Sequence, residues 1–212
     1  KVRGDNHLTV KAPFISGFYL QKVIQVGTGV VVLPRGGAIM AKQILLLVLI
    51  LVGFQVKALD LAAPFESIDG GTLSLSEWGG QPILVVNTAS RCSYTKQYGG
   101  LQALYDQYRD RGLVILAVPS NDFRQELASN EKVKNFCELR YDIDMPMTGI
   151  SAVTGPQAHP FFLSLKQDAG FEPAWNFNKV LIGPDGELVA TYSSKVKPQS
   201  SRLRRDIEGL LK

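Results

Sequence analysis

Cysteine and histidine are nearly missing from this chain: its 212 residues hold two of each. The histidines, His7 and His159, are far apart in sequence, so no metal centre can be built from clustered histidines. The cysteines, Cys92 and Cys137, are too few for a disulfide scaffold. Cys92 is followed by Ser93-Tyr94-Thr95, so the second thiol of a Cys-x-x-Cys pair is lacking and a dithiol oxidoreductase is excluded. No apolar run reaches the ~20 residues that span a bilayer. Gly27 and Gly29 lack the rest of a nucleotide-binding fingerprint. No internal repeat is visible.

Charge is unevenly placed. Residues 1–58 hold seven Lys/Arg and one Asp/Glu, and residues 59–212 hold sixteen and eighteen. The body is therefore slightly acidic, and the sequence pI of about 9.0 comes from the front end. Without an aromatic-plus-basic motif in the body, that pI does not indicate a nucleic-acid partner.

The front end reads as processing signal. Met40-Ala41-Lys42-Gln43 is a short positive start, residues 44–54 are an uninterrupted apolar run, and Val56-Lys57-Ala58 puts small residues where a leader is cut. This is the three-part pattern of a secretory signal peptide. A short membrane anchor or a buried helix are the other readings. Residues 40–58 are thus expected to be the signal, with translation starting at Met40 and the mature chain at Leu59. Residues 1–39 are expected to be a non-native extension, and residues 23–33 show neither helical nor strand period. Export implies a periplasmic or secreted, oxidising location.

From residue 59 onward the pattern is α/β. Phe65-Glu66-Ser67-Ile68 and Thr72-Leu73-Ser74-Leu75, around Asp69-Gly70-Gly71, read as a hairpin. Residues 82–87 and 113–118 are short apolar runs, expected to be strands buried on both faces. Between them Leu101, Leu104, Tyr105 and Tyr108 recur at helical spacing, so the pair forms a right-handed parallel crossover. A helix is expected over residues 130–140 with Val133, Phe136, Cys137 and Arg140 on one face. A second hairpin turns at Pro184-Asp185-Gly186, and a last helix carries Leu203, Ile207, Leu210 and Leu211. This order matches a thioredoxin-like fold with an added N-terminal β-hairpin.

Cys92 lies where an apolar strand runs through a polar turn into a helix. Unpaired N–H groups and the positive end of the helix dipole favour thiolate there, and Arg91 and Lys96 add positive charge. A peroxiredoxin would carry Thr or Ser three residues before its cysteine in a Pro-led motif, and this segment does not.

The segment Asn87-Thr88-Ala89-Ser90-Arg91-Cys92-Ser93-Tyr94-Thr95-Lys96-Gln97-Tyr98 instead resembles the first motif of the glutathione peroxidase family. The second motif stands as Val118-Pro119-Ser120-Asn121-Asp122-Phe123-Arg124-Gln125-Glu126, and the third as Trp175-Asn176-Phe177-Asn178-Lys179. Ala158-His159-Pro160 is a family-like landmark between them, and the resemblance covers residues 65–211. Ser93 stands where the family has Gly, Asp122 and Arg124 replace Gln and Gly, and the second motif is one residue short before Gln125.

The resemblance implies a peroxidase with Cys92, Gln125, Trp175 and Asn176 as its catalytic tetrad. Cys in place of selenocysteine implies slower chemistry. The residue types suit that chemistry. The amides of Gln125 and Asn176 and the indole N–H of Trp175 are donors that can stabilise a thiolate and the charge that develops as an O–O bond breaks. Taken singly, Trp175 reads first as core packing, and the two amides have turn and loop roles as their other reading. His159 reads as structural. Cys137 is either a buried inert thiol or, by the family's Phe-Cys position at Phe136-Cys137, a resolving cysteine.

The substrate implied is a hydroperoxide and the reductant glutathione or thioredoxin, with no metal, haem or flavin. About fifteen residues separate His159 from Trp175, which resembles the monomeric family members. Two other classes remain: a redox relay that oxidises a partner through a Cys92–Cys137 disulfide, and a non-catalytic thioredoxin-fold binding module.

Overall fold

The structure is a computed structural model that describes strand residues 23–26 and 29–32 and the continuous stretch 59–212. The expected signal, residues 40–58, lies outside the described residues. The chain divides into two units, residues 1–55 and 56–212. In the first, β1 (Val23–Val26) pairs antiparallel with β2 (Gly29–Val32), Val23 opposite Val32. The strands thus form in a stretch whose sequence shows no strand period. Val30-Val31-Val32 is a continuous β-branched run, which satisfies a strand without alternating.

The second unit begins with the expected hairpin, β3 (Phe65–Glu66) with β4 (Thr72–Leu73). Its sheet has the order β6-β5-β7-β8. Strands β5 (Ile83–Thr88) and β6 (Val114–Pro119) are parallel and buried along their whole length. Strand β7 (Lys179–Ile182) runs antiparallel to β5 and carries β8 (Leu188–Tyr192) on its far edge. Successive residues of β5 enter opposite cores, which is why its sequence reads as unbroken apolar. Leu84 and Val86 pack with helices α1 (Gln97–Tyr108), α2 (Asn130–Tyr141) and α4 (Ser201–Glu208). Ile83 and Val85 pack with Phe65, Leu75 and α3 (Pro160–Ala169). Full burial of each such side chain stabilises the fold by about 1.5–3 kcal/mol.

Two details depart from expectation. Helix α3 has no counterpart in the expected pattern; it starts at Pro160, capped by His159, and buries Phe161, Phe162 and Leu165. On α2 only Val133 and Cys137 are buried, Phe136 is half-covered and Arg140 is exposed. Its guanidinium lies over the Phe136 ring, 6.0 Å from the centroid, so the shared face is a cation–π contact at the surface.

Candidate active site

The parallel β5 and β6 end side by side, and the loops leaving them carry the candidate residues. Cys92 sits in the turn between β5 and α1, 9% exposed, with a free thiol. Its Sγ accepts the Tyr94 N–H at 3.4 Å, and its own N–H donates to Thr95 Oγ1 at 2.9 Å. Thr95 Oγ1 in turn donates to the Ala89 carbonyl at 2.8 Å. The thiol is therefore presented by a turn closed on itself, with an amide aimed at sulfur as the strand-to-helix placement predicts.

Gln125 comes from the loop after β6. Its carbonyl accepts the Arg91 N–H at 2.9 Å, beside Cys92. Its side-chain oxygen accepts from Asn176 Nδ2 at 3.0 Å. The next residue, Glu126, is buried and takes the Ser90 and Leu127 N–H groups on Oε1 at 3.0 and 2.7 Å. Burial pushes its carboxyl above the usual range. The shortened second motif thus still brings Gln125 to the Cys92 turn. The two replacements in it have visible consequences. Arg124 adopts φ 57°, the left-handed region that a glycine would enter freely and that costs other residues about 1–2 kcal/mol. Asp122 Oδ2 accepts the Val153 and Thr154 N–H groups at 2.7 and 2.9 Å, holding the loop against the following segment.

Trp175 and Asn176 precede β7. Asn176 is fully buried, and its Oδ1 has no partner. Trp175 is 40% exposed, which sets aside core packing as its role; its ring lies 5.3 Å from that of Phe123. The turn is anchored by Asn87 of β5, whose Nδ2 donates to the Trp175 carbonyl at 3.0 Å and whose Oδ1 accepts the Asn178 N–H at 2.9 Å. Phe177 is held at φ 62°, a sparsely populated backbone state of the kind that collects at functional sites. The structure therefore links Gln125 to Asn176 directly, and Gln125 to the Cys92 turn through the backbone. Trp175 stands at the rim.

Cys137 is also a free thiol, 1% exposed in α2. Burial pushes its pKa up to about 12. The wholly buried Tyr98 hydroxyl faces Cys137 and Thr88 without closing a well-aligned hydrogen bond to either. His159 caps α3: Nδ1 accepts the Phe161 N–H at 3.3 Å, Nε2 meets the Pro64 carbonyl at 3.1 Å, and the ring stacks on Phe65 at 3.5 Å. Among the described residues no group of three or more His, Cys, Asp or Glu is placed to hold a metal, and no helix is long and apolar enough to cross a membrane.

A groove of about 410 Å³ runs beside the Cys92 turn, lined by Ser93, Tyr94 and Lys96 together with Lys195, Lys197 and Pro198. Sequence reasoning missed the residues that support it. Ser194 donates to the Asn176 carbonyl at 2.6 Å. Lys179, the last residue of the third motif, is buried and bonded to Gln97, itself a groove residue.

Comparison with known proteins agrees with this geometry. The glutathione peroxidase family profile matches residues 61–166. The hydroperoxy fatty acid reductase gpx1 of Synechocystis sp. is 40% identical over 157 residues, covering 69% of this chain and 92% of that protein. The glutathione peroxidase-like peroxiredoxin gpx1 of Schizosaccharomyces pombe is 41% identical over 148 residues, covering 68% and 92%. The crystal structure of T. cruzi GPX1 superposes with a TM-score of 0.54 at 29% identity, covering 69% of this chain and 92% of that one. With the Cys92 turn, the Gln125–Asn176 bond and the thioredoxin-like sheet in place, the chain belongs to the glutathione peroxidase family and is a peroxidase that reduces hydroperoxides.

Proposed function

We propose that Cys92 is the peroxidatic thiol, with Gln125, Trp175 and Asn176 completing the site and Cys137 resolving it. The observation that carries this reading is the Asn176 Nδ2 to Gln125 Oε1 bond at 3.0 Å, joined through the Gln125 carbonyl to Arg91. The Cys92 thiolate attacks the terminal oxygen of a hydroperoxide, leaving a sulfenic acid and an alkoxide that takes a proton to become the alcohol. Amide donors around the site stabilise the charge that moves onto the leaving oxygen. The Cys137 thiol then displaces water from the sulfenic acid, forming a Cys92–Cys137 disulfide. An external dithiol reduces that disulfide by exchange. Cys137 lies in a helix with its thiol covered, so α2 opens locally for this step.

The open groove at the Cys92 turn suits bulky substrates, and fatty-acyl hydroperoxides are the class we propose, in keeping with the Synechocystis relative's name. The reductant is a thioredoxin-like dithiol, with glutathione as the other thiol to test. Supported by the pattern of residues 40–58, the protein is exported to a periplasmic or secreted location, and it works as a monomer. A native protein retaining Phe14 or Tyr19 would overturn the export reading. The central test is one equivalent of peroxide added to reduced protein, followed by mass spectrometry. A Cys92–Cys137 disulfide that thioredoxin recovers faster than glutathione is expected. Its absence, with glutathione alone restoring activity, removes the resolving role.

A further inference from the structure

Lys179 is an anomaly. It opens β7 beside Val180, Leu181 and Ile182, opposite Val86 of β5 and Tyr192 of β8, and it is completely buried. A buried ammonium normally has a carboxylate partner, because an unpaired charge in a dry interior is costly. Among the described residues Lys179 forms no ion pair. Its Nζ donates instead to Gln97 Oε1 at 2.6 Å and to the Val196 carbonyl at 2.7 Å.

The Gln97 acceptor leads to the active site. Gln97 is the first residue of α1, five positions after Cys92, and its N–H closes the turn onto the Tyr94 carbonyl at 2.8 Å. Its side-chain amide also donates to the Ser194 carbonyl at 2.7 Å. The Ser194 hydroxyl donates to the Asn176 carbonyl at 2.6 Å and accepts from Asn178 Nδ2 at 2.9 Å.

We propose that Lys179 is a positioning residue for the peroxidase reaction, its buried amino group fixing the separation between the turn that carries Cys92 and the turn that carries Asn176. The inference rests on the reading of Cys92 and Asn176 as reacting residues. Peroxide must lie between sulfur and amide at once, and displacement by about 1 Å can cost a reaction as much as 10²-fold. Lys179 touches neither peroxide nor sulfur; it acts through Gln97, which bonds to both turns' supports.

The test compares two reactions of Cys92 in the fully reduced protein. Peroxide reduction, followed by stopped-flow fluorescence, needs sulfur and Asn176 in register. Alkylation by iodoacetamide needs the thiolate alone. Lys179→Met is expected to slow the peroxide reaction about 10-fold to 100-fold while alkylation stays within about twofold of wild type. An unchanged peroxide rate overturns the proposal. So does an alkylation rate that moves with it in either direction, which would mean that the Cys92 turn itself has unravelled. If Lys179→Met does not fold, Gln97→Ala decides on the same criteria, with an expected peroxide-specific loss of about threefold to tenfold. Asn176→Ala separates the two claims. No effect there sinks the catalytic reading, whereas an Asn176 effect without a Lys179 effect sinks this inference alone.

Discussion

Cys92 and Cys137 are the same side chain in opposite surroundings. Cys92 stands in a turn at the mouth of α1, with an amide on its sulfur, Arg91 and Lys96 nearby, and a groove beside it. Cys137 is packed in α2 among Val133, Tyr98 and Met145, with burial pushing its pKa to about 12. One thiol lies in a turn that offers its sulfur an N–H, and the other is covered by its own helix. What surrounds the sulfur differs: at Cys137 burial is the main effect disfavouring thiolate, Glu126 and Glu138 add to it, and the facing Tyr98 hydroxyl only partly offsets it.

That contrast can be broken most severely by substitution. Cys92→Ser is expected to abolish peroxide turnover, a loss of at least about 10³-fold given that the nucleophile is gone. Cys137→Ser is expected to keep the first turnover and lose thioredoxin-linked recycling. A Cys137→Ser protein unable to complete even one turnover would erase the distinction. NADPH-coupled turnover together with single-turnover peroxide consumption measures both.

A second measurement sharpens the comparison without mutation. At pH 8 a thiol with a pKa of about 12 is ionised to about one part in 10⁴, against about a quarter for an ordinary cysteine. Native protein treated with iodoacetamide should therefore label first at Cys92, with Cys137 slower by about 10³-fold than the same thiol in the unfolded chain. Peptide mapping after timed quenching reads the ratio, and urea should remove the difference.

The smallest effect is on stability. The folded chain keeps the Cys137 proton that the unfolded chain sheds above about pH 8.5. The stability this contributes is complete below that pH and is lost as the pH rises toward about 12. The difference in unfolding free energy between wild type and Cys137→Ala should shrink between pH 8.5 and 10.5, by up to about 1.4 kcal/mol per pH unit. A flat difference would mean that Cys137 titrates normally in the folded protein.

Much of this was legible in the sequence, for identifiable reasons. Residues 82–87 and 113–118 announced buried strands because both faces of the sheet are covered. Cys92, Gln125 and the Trp175-Asn176 pair stood in ordered motifs, and the geometry places them at neighbouring strand ends and turns. Helix α3 escaped because its large apolar residues, Phe161, Phe162, Leu163 and Leu165, are bunched toward its N-terminus without a clear helical period, and its start, His159-Pro160, looks like a turn. Lys179 escaped because a charge beside an apolar strand ordinarily marks its exposed end. Only the folded chain shows that this one is bonded to Gln97 and Val196. The covering of Cys137 was half legible: the helical spacing put it beside Val133, but nothing local revealed the aromatic and methionine neighbours.

Helix α2 has one more consequence. It buries only Val133 and Cys137, turns Leu139 outward at 89% exposure, and is held at its ends by Ser129 and by the left-handed Asp142. If the second thiol reaches the first by partial melting of this helix, the interval between melting events is a clock that no improvement in the chemistry can outrun. Apolar substitutions that fasten α2 would then raise the melting temperature and lower the ceiling on turnover together. In that case this helix, tied to the body through Asn130 and Lys134 as well as through its buried face, would be the protein's timing element, and its capacity to open is what selection would have to preserve.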